Sequence, residues 1–258
     1  RGIMAQIRIR EPFSEPDRGN KTHMKHMSLA SRRTVGFLNL RSSILAEMLM
    51  DIAATQSEDG DEFVTVLHNY IAKSLGDIFG DEVFLDIRTI RPGIFMPMIE
   101  GGLVCDFQSR KAADGEIQRW ISAFGSDKKE GSHHAIPSPL GLINYRWMEE
   151  TLMASIHPDG AEYQPAEVHD RLISTPEFQG AFPEGLGKAD LVLYLNPRGM
   201  HQGLEEAYGM SLAWPKDVKR HVRDGLLWAE VLSPFRCIIL ESGYNGGETH
   251  IRLYAPLE

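Results

Sequence analysis

A chain of 258 residues is long enough for one large domain or two small ones, and 42% hydrophobic with 24% charged residues is the balance of an ordinary soluble globular protein. The net charge of −9 sets the body of the chain against non-specific nucleic-acid binding, and no apolar stretch approaches the ~20 residues that span a bilayer. Two cysteines, Cys105 and Cys237, each lie inside an apolar run and read as buried reduced thiols; with no signal-peptide pattern, the expected setting is a reducing cytoplasm.

The charge is unevenly spread. Residues 1–33 hold eight arginines and lysines against three acids, a net of +5, which leaves −14 for residues 34–258. Ala5–Arg10 alternates Ile7 and Ile9 with Arg8 and Arg10, as a short strand does, and residues 11–32 are polar, with Pro12 and Pro16 and no clear period. The expected organisation is a basic extended arm over 1–33, followed by one domain over 34–258.

Helical spacing follows in two segments. Ile44, Leu45, Met48, Leu49 and Ile52 share a face in Leu40–Gln56, and Phe63, Val66, Leu67, Tyr70, Ile71 and Leu75 share one in Asp61–Phe79. The short acidic link between them predicts an antiparallel helical hairpin. Beyond it the period changes to two, with Val83, Leu85 and Ile87 alternating against Asp86 and Arg88. Turns at Pro92-Gly93 and Gly101-Gly102 then predict a three-stranded antiparallel meander over 83–107.

Ile117, Trp120, Ile121 and Phe124 mark a short helix, and 125–139 has the composition of a long exposed loop or subdomain boundary. A helix is expected over Tyr145–Ile156, one helical turn over Ala166–Ile173, and a strand over Ala189–Leu195 that ends at an Asn196-Pro197-Arg198-Gly199 turn. Pro215 opens a helix over Lys216–Val231, and Arg236–Glu241 pairs with Thr249–Tyr254 through a glycine-rich hairpin. Helices with antiparallel strand pairs and no βαβ alternation indicate α+β: mainly antiparallel sheet (83–107 and the hairpin about 236–254) packed with the N-terminal helical hairpin. No internal repeat is legible.

Each catalytic pattern falls short on its own chemistry. His157-Pro158-Asp159 has the first two ligands of a facial iron site and needs a distal His201, His221 or His250; one His-x-acid match is what ten histidines and 36 acids produce by chance. Gly209-Met210-Ser211-Leu212-Ala213 resembles a relaxed nucleophile elbow with His250 downstream, but no strand precedes Ser211. Cys105, followed by His133 or His134 and Asn144, sits beside Asp106, whose charge opposes a thiolate. Asp86, Glu100 and Asp106 are candidate nuclease carboxylates without an acid-x-Lys partner, and His23, His26, His133 and His134 lack cysteines at zinc spacing.

The binding candidate is a cationic stripe. Lys216, Lys219, Arg220 and Arg223 stand at i, i+3, i+4 and i+7, with Val218, Val222 and Leu226 on the opposing side to dock the helix on the sheet. The functional expectation is a non-enzymatic protein-binding module (adaptor, immunity-type inhibitor or assembly component) that uses the arm and this stripe. The alternative is a hydrolase or metal-dependent nuclease with a site assembled from scattered His, Asp and Glu residues. No cofactor is expected. A protein partner, acidic in character, is expected, with homo-oligomerisation through residues 1–33; nucleic acid and membrane are not.

Overall fold

The computed structural model describes residues 2–10, 24–42, 44, 79–94, 96–124, 128–130, 133–138, 141–182, 189–245 and 248–257. They contain eleven strands: β1 (Gly2–Arg10), β2 (Gly36–Arg41), β3 (Phe79–Arg91), β4 (Met98–Phe107), β5 (Lys128–Glu130), β6 (His133–Ser138), β7 (Gly141–Met148), β8 (Thr151–His157), β9 (Leu191–Leu195), β10 (Ile238–Asn245) and β11 (Glu248–Pro256). One sheet takes them all, in the order β1-β11-β10-β9-β2-β3-β4-β8-β7-β6-β5, with antiparallel pairing throughout. The α-helices whose bounds fall among the described residues are α1 (Arg110–Phe124), α2 (Pro176–Ala181), α3 (Pro197–Gly209) and α4 (Lys216–Leu232). The class is α+β, dominated by antiparallel sheet.

The strand order conceals a repeat. β2 and β9 pair antiparallel at the centre, with Leu38 opposite Leu193. From there β2-β3-β4 runs outward on one side and β9-β10-β11 on the other. Registers match as well: Gly36 lies opposite Ile87 and Leu191 opposite Ser242, so each residue of the second pair stands 155 positions beyond its counterpart. The correspondence continues one strand further, because β8 flanks β4 as β1 flanks β11. The two halves are related by an approximate two-fold axis between β2 and β9.

Both faces of the central strands are covered. On one face Phe37, Phe84, Val104, Val192 and Ile239 meet Met27 of a 3-10 helix at Lys25–Leu29 and Met24 just before it, together with Tyr163 and Phe178. On the other, Leu40, Val83, Cys105 and Phe107 meet Ala113 of α1. Met24, Met27 and Ala30 are buried in the core, so this part of the segment expected as an arm is built into the domain.

Several expectations need correction. Tyr145–Ile156 is the hairpin of β7 and β8, not a helix; Leu152 to Ser155 are all buried, so a strand covered on both faces shows no two-residue period. The turn is made by Glu149, which takes a positive φ of 56°. The meander is a two-stranded hairpin of β3 and β4, and Gly101-Gly102 lies mid-strand. There a Cβ on Gly102 would stand 2.1 Å from the Tyr163 ring, so the glycine admits a close approach rather than a turn. β5 and β6 fall within the expected loop 125–139. Asn196 caps α3, accepting from the Gly199 N–H at 3.0 Å, with Pro197 in the first turn. The expected helical hairpin of Leu40–Gln56 and Asp61–Phe79 lies outside the described residues, except that Leu40 and Arg41 close β2, Ser42 and Ile44 are helical, and Phe79 opens β3.

Candidate functional site

Strand alternation that turns Phe84 into the core turns Glu82 and Asp86 onto the same face, where each carboxylate needs partners. Glu82 accepts from the backbone N–H groups of Lys25 and His26, both at 3.1 Å, and from Asn39 Nδ2 at 2.6 Å. Burial raises its pKa, with the Asn39 hydrogen bond and the His26 charge opposing. Beside it, Asp106 accepts from His26 Nε2 at 3.0 Å and Thr151 Oγ1 at 2.9 Å, and the Lys25 ammonium stands 2.9 Å away. Burial works against the Asp106 carboxylate, but hydrogen bonds from His26 and Lys25 outweigh it and hold the pKa down to about 2.

His26, Glu82 and Asp106 are the group of three metal-type donors found among the described residues, with ligand atoms within 4.8 Å of one another. Each carboxylate already has protein partners, and the Lys25 ammonium stands beside Asp106 where a cation would. The cluster is a clasp that fastens the Lys25–Leu29 helix to the sheet.

Asp86 organises a second network. Its Oδ1 accepts from Thr34 Oγ1 at 2.8 Å, and its Oδ2 accepts from Arg88 Nε at 2.7 Å and Tyr163 OH at 3.0 Å. The Arg88 guanidinium lies over the Tyr163 ring, 4.4 Å from its centroid. These two side chains floor an open cleft of about 640 Å³ that also takes in Arg33, Arg91, Glu100 and His157. Its acids have partners of their own: Glu100 faces Arg91 Nε at 2.8 Å and His157 Nε2 at 3.6 Å, Glu162 faces Arg146 at 3.3 Å, and Asp170 accepts from Ser31 Oγ at 2.5 Å.

Among the described residues the catalytic candidates do not converge; His23 and the side chains of His133 and His134 lie outside them. Asp86, Glu100 and Asp106 share a face but belong to three separately paired groups, and six residues of extended strand separate Glu100 from Asp106 by roughly 20 Å. His157 Nδ1 accepts from the Asp159 N–H at 3.1 Å within a turn, while His201 pairs with Glu205, His250 with Glu241, and His221 is exposed on α4. Ser211 opens a 3-10 turn behind α3 and is buried. The Cys105 thiol is pushed up by burial and then by the Asp106 charge.

The cationic stripe lies on α4. Lys216, Arg220 and Arg223 are exposed, and Lys219 Nζ bends back to donate to the Leu212 carbonyl at 3.2 Å. Exposed ion pairs at 3.4 Å (Arg220–Asp217) and 3.9 Å (Arg223–Asp224) restrain the arginines weakly. Val222, with Val218 at its side, packs with Ala207 and Leu204 of α3 and with Trp214, so α4 docks chiefly on a helix rather than on the sheet. On the outward side Leu227, Trp228 and Val231 are 56%, 66% and 65% exposed. Lys216, Arg220, Arg223, Leu227 and Val231 therefore form one ridge at i, i+4, i+7, i+11 and i+15, cationic at its start and apolar at its end.

The apolar half of this ridge was missed in the sequence, although five apolar residues in Leu226–Val231 exceed what one buried face can absorb. The Glu82 and Asp86 networks had little local signal, because every partner except Arg88 lies 43 to 77 positions away on the chain. Among the described residues no helix is long and apolar enough to cross a membrane. No family model matches the sequence, and no curated protein or solved structure matches it at a significant level.

Proposed function

We propose that this chain is a protein-binding module whose docking surface is the outer ridge of α4. The observation that carries the reading is the exposure of Leu227, Trp228 and Val231 on the side of the helix opposite buried Val222 and Ala229. Three large apolar side chains in water gain free energy when a partner covers them, and tryptophan is the residue type most often dominant at such contacts. Charge selects the occupant. Lys216, Arg220 and Arg223 continue the same ridge, so the complementary surface is an apolar groove with carboxylates at one end, on a partner protein.

The test places a photo-crosslinking residue at position 228 of the full chain, with position 202 on α3 as exposed control, in an extract of the source organism. The protein captured is then purified and titrated. Trp228→Ala is expected to weaken its binding about tenfold or more. Arg220→Glu with Arg223→Glu is expected to weaken it and to flatten its salt dependence. Capture no greater at 228 than at 202, or equal binding of wild type and Trp228→Ala, overturns the reading. Flotation of the chain with phosphatidylserine vesicles, abolished by Trp228→Ala while protein binding is unaffected, would assign the ridge to a membrane surface instead.

A further inference from the structure

The two edges of the sheet are built differently. β5 has three residues, Lys128-Lys129-Glu130, all charged, which is how natural sheets discourage further pairing. β1 has nine residues and pairs with β11 in unbroken register from Gly2–Pro256 to Arg10–Glu248. It contains neither proline nor bulge, and Ile3, Met4 and Ile7 are 49%, 71% and 57% exposed. Among the described residues nothing pairs with its outer side. The approximate two-fold axis sharpens the contrast. β8 is the counterpart of β1, and its outer edge carries β7 in antiparallel register from Leu142–His157 to Met148–Thr151.

We infer that the open edge of β1 pairs antiparallel with β1 of a second copy of this chain, joining the two sheets across a dimer axis. The strand is complementary to itself. In the register centred on Gln6, Ile3 falls opposite Ile9, Ala5 opposite Ile7, Met4 opposite Arg8 and Gly2 opposite Arg10, so no two charges face each other. Each chain contributes the same strand, as a two-fold contact requires. The isoleucine positions of both copies then line one face, continuous with Ile251 and Leu253 of β11. This contact is independent of the α4 ridge.

The experiment measures the mass of the full chain in solution at up to about 100 µM, a range in which a contact of modest affinity is populated. The expected mass is twice the 29.0 kDa of one chain. Ile3→Lys with Ile7→Lys, both at exposed positions, is expected to give a monomer that still melts cooperatively, at the temperature of the wild type diluted to where it too is monomeric, whereas Ile7→Val remains a dimer. A spin label at Gln6→Cys is expected to report its twin across adjacent strands, whose backbones lie about 4.8 Å apart. A monomeric wild type, a dimer that survives the lysine pair, or a dimer without the short spin–spin distance overturns the proposal.

Discussion

Asp86 and Glu241 stand at the same position in the two halves of the sheet, 155 residues apart, and each is a buried carboxylate matched to an arginine. Asp86 takes its cation from Arg88 on its own strand at 2.7 Å, while Glu241 takes Arg252 from the neighbouring strand at 3.6 Å. The resemblance ends at solvent. Asp86 is sealed beneath Tyr163, whereas Arg252 is partly exposed.

That difference predicts unequal costs. Asp86→Ala strands the Arg88 guanidinium and leaves the Thr34 and Tyr163 hydroxyls without their acceptor, a loss of about 3–5 kcal/mol. Glu241→Ala takes the carboxylate from His250 as well, but it lets Arg252 turn to water and is expected to cost less. Urea unfolding of both variants ranks them; an equal loss would mean that Arg252 is held as firmly as Arg88.

Asp106 predicts an acid-side dependence. Its carboxyl is held down to about 2 in the fold, against about 3.9 when unfolded. The stability it supplies is therefore complete above the unfolded value and is lost as pH falls through the folded one. Between pH 5 and 2 the wild type is expected to lose about 2 kcal/mol more than Asp106→Asn. Glu82 has the opposite sign, because its raised pKa removes stability as pH rises. Unfolding curves at stepped pH for Asp106→Asn and Glu82→Gln separate the two.

Two glycines predict opposite responses to alanine. At Gly102 the new methyl collides with the Tyr163 ring, and the overpacking is expected to cost about 1–3 kcal/mol. At Gly115, on the exposed side of α1, a Cβ meets nothing within 4 Å. Alanine there is expected to add about 0.5–1 kcal/mol by helix propensity. Thermal melts of the two variants should move in opposite directions.

Thiol chemistry supplies a fourth check. Burial and then the Glu177 charge push the Cys237 thiol up to about 11, and Cys105 lies higher still. Neither thiol is expected to react with Ellman's reagent at pH 8 in the native chain, and both are expected to react in denaturant. Rapid labelling of folded protein would show that β4 or the segment just before β10 opens locally.

Local period made part of this fold legible. Alternation around Ile7 marked β1, Pro215 and the spacing of Val218, Val222 and Leu226 marked α4, and the glycine-rich link marked the β10–β11 hairpin. Where burial covers both sides of a strand the signal vanishes, which is why β8 reads as a helix. The repeat was illegible for a related reason. Its halves agree in register and burial, as at Phe84 and Ile239, while few residues are identical beyond Leu38–Leu193 and Leu40–Leu195. Of the docking ridge, the cations were readable from helical spacing; exposure of Trp228 was not, because only the placement of α3 decides which side of α4 is covered.

By itself the chain's order of residues determined which segments alternate, which carry a helical face, and that α4 begins with a cationic stripe. These depend on neighbours within one or two turns, where backbone geometry sets the spacing. Tertiary structure alone decided that Met24 and Met27 belong to the core, that His26 meets Asp106 across 80 positions, and that among the described strands β1 stands at an edge of the sheet while β8 does not. Each is a pairing between distant segments, fixed when buried charges find counter-charges and strands find partners, and no local period records that choice.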